Sequence, residues 1–211
     1  MLLTANELKE VFLSWAAAME ANRDYLIELD GVAGDSDLGL SMNDGFSAVR
    51  GFLETFNDPD LGNLFYYAGK TMASSAPSSL GTLIASGFMQ VGKTLKGSTS
   101  LELYNISSVL EALEAGVIQR GKAKLGEKTF LDGLHPAILV LQSAEETSDL
   151  TLLLKKAQEA AREGADSTVN MVAKHGRAAV RGELSVGLLD PGAVVASLLV
   201  SAMCETLLSL L

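Results

Sequence analysis

Leu103-Tyr104-Asn105-Ile106-Ser107-Ser108-Val109-Leu110-Glu111-Ala112-Leu113-Glu114-Ala115-Gly116-Val117 is the stretch whose reading sets the fold class. Leu103, Ile106, Leu110, Leu113 and Val117 recur three or four residues apart, which is one face of a 3.6-residue helix. The same period extends in both directions. Upstream, a capping box of Thr4 and Glu7 opens a helix carrying Leu8, Val11, Phe12, Trp15 and Met19. Asn22 to Asp24 reads as a break, and Tyr25 to Leu29 as a short helical segment. Met42, Phe46, Val49 and Leu53 mark a second long helix, which Asn57-Asp58-Pro59-Asp60 ends in a turn. Leu61, Leu64, Phe65, Ala68 and Met72 mark a third. Ser74-Ser75-Ala76-Pro77-Ser78-Ser79 reads as a loop, and Leu83, Ile84, Phe88, Val91 and Leu95 as a fourth helix.

Downstream, Gly121 to Thr129 reads as a glycine-containing loop. Leu131, Leu134, Ile138 and Leu141 mark the next helix, with His135-Pro136 placed at its start. Glu145 to Leu150 is polar. A long Ala-rich helix is expected from Thr151 to about Lys174, then a loop to Leu189 carrying Lys174, His175, Arg177 and Arg181. Asp190-Pro191-Gly192 opens the last helix, with Asp as N-cap and Pro at the first helical position. No stretch alternates with period two and no compositional break divides the chain. The expectation is one all-α domain over residues 1–211, with about eight helices and no strand.

The chain has 211 residues, of which 48% are hydrophobic and 6% aromatic, so its core is aliphatic. A net charge of −10 without a Lys/Arg cluster argues against nucleic acid and against anionic membrane surfaces. The single cysteine, Cys204, excludes an internal disulfide and suits a reducing cytoplasm. The N-terminus lacks the pattern of a secretory signal. Gly192 to Leu211 is long enough to span a bilayer, but it lacks flanking Lys, Arg, Trp or Tyr and reads as a buried bundle helix.

One loop concentrates chemistry: Glu28-Leu29-Asp30-Gly31-Val32-Ala33-Gly34-Asp35-Ser36-Asp37-Leu38-Gly39. Asp35 and Asp37 are two apart and share a side in extended backbone. Gly31 and Gly34 permit the tight turn that folds Asp30 back onto them. Three carboxylates so close repel one another unless a cation sits among them, and Mg²⁺ or Ca²⁺ is the natural partner of oxygen ligands. A solvated acidic loop is the bland alternative. The spacing does not fit an EF-hand, and spare coordination positions suggest a phosphate compound. Gly87-Phe88-Met89-Gln90-Val91-Gly92-Lys93-Thr94 spells a P-loop, but Phe88 and Val91 continue a helical stripe, so the match reads as chance. His135 and His175 are isolated and have no orienting partner near in sequence, so zinc is not expected. Cys204 and the methionines read as core. Arg177 and Lys174 ahead of the helix start at Asp190 read either as an anion site or as a charged surface loop.

Several scattered segments together resemble one family, the nucleotide-binding (L) subunit of bacterial dihydroxyacetone kinase and the matching domain of single-chain dihydroxyacetone kinases. They are Leu29-Asp30, Gly34-Asp35-Ser36-Asp37 with Gly39, Met42-Asn43 with Gly45-Phe46, Arg120-Gly121-Lys122-Ala123, Gly126-Glu127-Lys128-Thr129, Asp132, Gly176-Arg177-Ala178, Gly182-Glu183, Ser185, Gly187 and Asp190-Pro191-Gly192-Ala193. The resemblance implies an eight-helix antiparallel barrel with ADP or ATP at one end. It implies two Mg²⁺ ions on Asp30, Asp35 and Asp37. It places Ser74, Ser75, Ser78, Ser79, Gly81 and Thr82 around the phosphates, and Gly121, Thr129, Arg177, Asp190, Pro191 and Gly192 in the nucleotide site. It implies a dihydroxyacetone-binding partner subunit and a phosphohistidine-donor subunit of the sugar phosphotransferase system.

The chain departs from the family where Leu38 replaces His, where Pro77 and Leu80 interrupt a glycine-rich phosphate loop, and where Leu184 and Leu188 replace Arg and His. Pro77 also removes a backbone N–H. Two readings follow: a phosphoryl-transfer subunit, or a divergent paralogue with a binding or regulatory role.

Overall fold

The computed structural model describes residues 1–145 and 148–211; residues 146 and 147, part of the polar stretch noted between Glu145 and Leu150, lie outside the described residues. Nine α-helices are described: α1 Ala5–Ala21, α2 Arg23–Gly31, α3 Leu38–Leu53, α4 Leu61–Ser75, α5 Ser79–Thr94, α6 Ser107–Gly121, α7 Phe130–Gln142, α8 Leu150–Ser167 and α9 Pro191–Ser209. Eight of them close a ring, with α1 against α3, then α4, α5, α6, α7, α8 and α9 in turn, and α9 back against α1. The short α2 packs chiefly on α3. The ring is the barrel expected, with one helix added.

The capping box at Thr4 and Glu7 forms, with the Thr4 amide and hydroxyl both donating to the Glu7 carboxylate. One face of each helix then lines a continuous apolar core. Its centre is aromatic: Phe12 and Trp15 from α1, Phe46 from α3, Phe65 from α4 and Phe88 from α5. Phe88 stacks on Trp15 at 5.5 Å between ring centroids and meets Phe12 edge-on at 5.2 Å, and such pairs add about 0.5–1.5 kcal/mol each beyond area burial. The Trp15 indole donates to the Leu199 carbonyl at 2.8 Å, which ties the seam where α1 meets α9. Cys204 is buried in α9, and burial pushes its thiol up to about 12.

Helix α9 is long and apolar enough to cross a membrane by length and composition, yet it forms part of the ring, with 56% of its most apolar window buried. The P-loop-like residues Gly87 to Thr94 all lie within α5. A Cβ on Gly87 would sit 3.0 Å from Leu113, and one on Gly92 would sit 2.8 Å from the Gly62 carbonyl. These glycines let α5 approach α6 and α4 closely; they hold no phosphate loop.

Several boundaries differ from the sequence expectation. Residues Leu2–Thr4 (β1) pair antiparallel with Ser100–Glu102 (β2), a ribbon joining segments about a hundred positions apart. Leu103 lies in a 3-10 turn ahead of α6. Ser74 and Ser75 belong to the last turn of α4, and Ser79 to the first of α5, so the loop between them shrinks to three residues. Pro136 stands inside α7, not at its start. Helix α8 stops at Ser167 rather than near Lys174, because the Thr168 hydroxyl turns back to the Ala165 carbonyl and accepts from the Asp190 amide. The basic segment is not plain loop, since Arg177–Ser185 winds as 3-10 helix around a kink at Gly182.

Candidate functional site

Alternate helices of the ring begin at the same end, and a cleft of about 680 Å³ opens there. Leu38 at the start of α3, Ser79 of α5, Phe130 of α7 and Pro191 of α9 all line it. Each helix start turns the positive end of its dipole toward this mouth, and four of them together favour negative charge there. Deeper in, Leu83, Val117, Phe130 and Leu131 supply apolar walls.

At one side stand the three aspartates. One oxygen from each of Asp30, Asp35 and Asp37 lies within 4.8 Å of the others; Asp30 is half-buried and the other two are exposed. Asp30 is held by its role as a remote cap, its Oδ2 accepting from the amides of Asp37 at 3.1 Å and Leu38 at 3.4 Å. Gly34 makes this possible, since a Cβ there would lie 2.0 Å from Asp30 Oδ1. Burial raises the Asp37 carboxyl above its ordinary range, Asp35 and Asp30 raise it further, and Arg177 partly opposes them. Clustered hard oxygens with mutual repulsion are the donor set that a divalent cation fits. Arg177 closes the group from the far wall, with its guanidinium 2.5 Å from Asp35 Oδ2.

The opposite wall is the loop between α6 and α7. Asp132, buried in the first turn of α7, accepts from the Gly126 amide at 2.6 Å and the Thr129 amide at 2.7 Å. Thr129 is the N-cap of α7 and faces the cleft. The Lys128 ammonium is buried and donates to the carbonyls of Thr168, Met171, Ser185 and Leu188, binding the two backbone stretches that flank the Arg177 segment. Burial lowers its pKa, and nearby Asp190 counteracts this in part. Asp190 caps α9 through the Ala193 amide, and burial raises its carboxyl to about 6.

Of the residues singled out in the sequence, Asp30, Asp35, Asp37, Ser78, Ser79, Gly121, Thr129, Arg177, Asp190, Pro191 and Gly192 all line this cleft. Ser74, Ser75, Gly81 and Thr82 do not. The Ser74 hydroxyl bonds back to Lys70 within α4, and Gly81 is buried in α5, where a Cβ would meet the Ala76 carbonyl at 2.4 Å. The histidines are not without partners, as their isolation in the sequence suggested. His135 Nδ1 lies 2.9 Å from Glu114, and His175 Nε2 lies 2.6 Å from Glu127. Burial raises the Glu114 carboxyl despite its histidine, whereas the His175 contact lowers Glu127. Lys128 and Glu127 drew no separate attention in the sequence. The motif Gly126-Glu127-Lys128-Thr129 marked them only as part of the family resemblance and gave neither a role of its own.

Comparison with known proteins finds relatives over most of the chain. The model of the DAK2 domain matches residues 32–205. The chain is 37% identical over 171 residues, 81% of each chain, to the ADP-binding subunit DhaL of the PEP-dependent dihydroxyacetone kinase of Escherichia coli K12. It is 33% identical over 199 residues, 93% of this chain and 92% of the relative, to the ADP-binding subunit DhaL of PEP-dependent dihydroxyacetone kinase 2 of Listeria innocua. The dihydroxyacetone kinase of C. freundii, solved with AMP-PNP and Mg²⁺, superposes on 93% of the chain with a TM-score of 0.73 at 23% identity. The matched region is 33% of that kinase, and at this identity the likeness shows the fold.

Proposed function

The chain belongs to the DAK2-domain family, alongside the ADP-binding subunits of dihydroxyacetone kinases, and from that premise we propose that it is the magnesium–nucleotide-carrying subunit of such a kinase. It passes a phosphoryl group to a small hydroxyketone held on a partner subunit and is recharged by a phosphohistidine-bearing partner of the phosphotransferase system. The observation that carries this reading is the convergence of four helix starts and three carboxylates on one cleft. The helix starts suit phosphate oxygens, and the carboxylates suit the cations that accompany them.

Asp30, Asp35 and Asp37 would hold two Mg²⁺ ions. Bound Mg²⁺ neutralises charge on the phosphates and aligns the transferring group. The chain's own residues do the positioning. Asp30 keeps the triad fixed to the start of α3. Arg177 pairs directly with Asp35 at 2.5 Å, which stations a guanidinium at the edge of the triad, where it turns to a phosphate once a cation takes up the carboxylate. The first-turn amides of Ser79 and Leu80 face the cleft as donors. Leu83, Val117 and Leu131 offer an apolar bed for a base. Phosphoryl transfer asks for positioning more than for acid–base chemistry, which suits a cleft whose one imidazole is engaged by Glu127.

Pro77 and Leu80, both on the cleft wall, are where the chain departs from the family's loop, and they leave a second reading to test, a divergent paralogue that binds without turnover. Melting scans with Mg²⁺, with ADP and with both decide whether the site binds. We expect a rise of roughly 5–10 °C only with both, from ~2.7 kcal/mol at one hundred times the dissociation constant and ~2–4 °C per kcal/mol. No rise refutes the carrier reading. A rise without phosphoryl transfer in the presence of both partner subunits selects the paralogue.

A further inference from the structure

Arg177 is, among the described residues, the cation paired with the carboxylate triad, yet its side chain is 68% exposed. An exposed ion pair holds a long side chain weakly, contributing about 0–1 kcal/mol. Its placement must therefore come from its backbone. The preceding residue, Gly176, has φ +65° and ψ −161°, a conformation essentially reserved for glycine, so the chain turns sharply just before Arg177. Where that turn sits depends on what holds residues 174 and 175.

Both are held by Glu127, in the loop between α6 and α7. The Lys174 amide donates to the Glu127 carbonyl at 3.3 Å. His175 Nε2 meets Glu127 Oε2 at 2.6 Å. Glu127 is itself fixed, since the same oxygen accepts from the Lys124 amide at 2.8 Å. The Asp132 carboxylate clasps the amides on either side of it, those of Gly126 and Thr129. An unbroken series of contacts thus runs from Asp132 in α7 through Glu127, His175 and the Gly176 turn to Arg177 and Asp35.

We propose that His175 and Glu127 are a positioning pair for nucleotide binding: their contact latches the Arg177 segment to the α6–α7 loop and so sets the guanidinium opposite the triad. This rests on the carrier reading for its consequence, not for the latch itself. The pair touches no reacting atom and acts through Arg177.

Two measurements test it. In the first, the affinity for Mg-ADP is read by calorimetry in a double-mutant cycle. His175→Ala should weaken binding about ten-fold, the effect of one charge-assisted hydrogen bond. In an Arg177→Ala background it should change affinity less than about two-fold, because the route of action is gone. Glu127→Ala should match His175→Ala, and Glu127→Gln, which keeps an acceptor, should stay within about three-fold of the parent. A merely structural role would add equally in both backgrounds, and that result overturns the proposal.

The second measurement needs no nucleotide. Trypsin cleaves after Arg177 only when the segment opens, and its rate follows the open population. His175→Ala should raise that rate about ten-fold over the parent. An unchanged rate overturns the latch whether or not nucleotide binds. A parent chain that shows no affinity for Mg-ADP sinks the carrier reading instead, and the proteolysis result then stands alone for or against the latch.

Discussion

Two glycines in the aspartate loop should behave in opposite ways when given a methyl group. A Cβ on Gly34 would stand 2.0 Å from Asp30 Oδ1, 2.7 Å from its Cγ and 2.9 Å from its carbonyl oxygen. The backbone carbonyl cannot yield, so the Asp30 carboxylate must leave, and its bonds to the amides of Asp37 and Leu38 go with it. Hydrogen bonds to a charged group contribute ~1.5–3 kcal/mol each when dry, so for this half-exposed carboxylate we take ~1–2 kcal/mol in all. Gly34→Ala should then lower the melting temperature of the ligand-free protein by roughly 2–8 °C. It should also abolish the rise with Mg-ADP, since the triad loses its fixed member. At Gly31, the last residue of α2, the only close atom is the Ser36 hydroxyl at 2.7 Å, which rotates away. Gly31→Ala should add ~0.4–1 kcal/mol by restricting the unfolded chain, and should keep the Mg-ADP rise. Scanning calorimetry with and without Mg-ADP reads both. If Gly34→Ala retains the full rise, or Gly31→Ala loses it equally, the geometry assigned to Asp30 is wrong.

Three further outcomes follow from the same structure. Asp190 titrates near 6 in the fold against about 3.8 when unfolded, so between these values the native state binds the extra proton and this group's contribution falls as pH rises through the window, then stays flat above it; Asp190→Asn, a residue that also caps helices, should gain on the parent by on the order of 2 kcal/mol from pH 4 to pH 7 in urea titrations, and a pH-independent difference would refute the assignment. Lys128→Met leaves four carbonyls without their shared donor and should cost about 3 kcal/mol or more in urea unfolding; a loss under about 1 kcal/mol would show that water replaces the ammonium freely. Lys93→Ala, at the exposed lysine of the P-loop-like match, should leave both stability (within about 0.5 kcal/mol) and the Mg-ADP rise untouched, and loss of the rise would reinstate the motif.

What could be read from the sequence was whatever short-range spacing encodes. The helical period found the barrel helices because each presents one apolar face to a common core. Asp35 and Asp37 announced themselves by being two apart, and Asp30 by the glycines that fold it back. Contacts between distant positions were invisible: β1 with β2, His135 with Glu114 at 21 residues, and His175 with Glu127 at 48 residues. The end of α8 was missed for a related reason. Its Ala-rich pattern carries no stop signal, and what ends it is Thr168 reaching the Asp190 amide, 22 residues on. Lys128 stood in the sequence only as a member of the Gly126 to Thr129 motif, and nothing in its neighbourhood foretold four carbonyls from two remote segments.

The serine-rich segment shows where spacing misleads. Counted against a glycine-rich phosphate loop it looks eroded, with Gly81 as the last survivor. In the fold, Gly81 lies inside α5, and its lack of a side chain serves the approach of the Ala76 carbonyl rather than of a ligand. What meets the cleft is the start of α5, where the Ser78 hydroxyl takes the Gly81 amide and the first-turn amides of Ser79 and Leu80, both lining residues, have no intrahelical acceptor. A helix start needs no glycine to present its amides, and Pro77 lies before the cap, where a missing N–H interrupts no helical bond. The substitutions that look most damaging therefore fall where the backbone geometry, rather than glycine, supplies the donors. Helices α3, α7 and α9 also begin at this mouth, but more of their first-turn donors are engaged: the Leu38 amide bonds Asp30, the Leu131 amide bonds Thr129, and α9 starts on Pro191. In a ring of alternating helices the gathering of four helix starts at one end follows from the topology itself, so four dipoles converge on the cleft whatever loops decorate it.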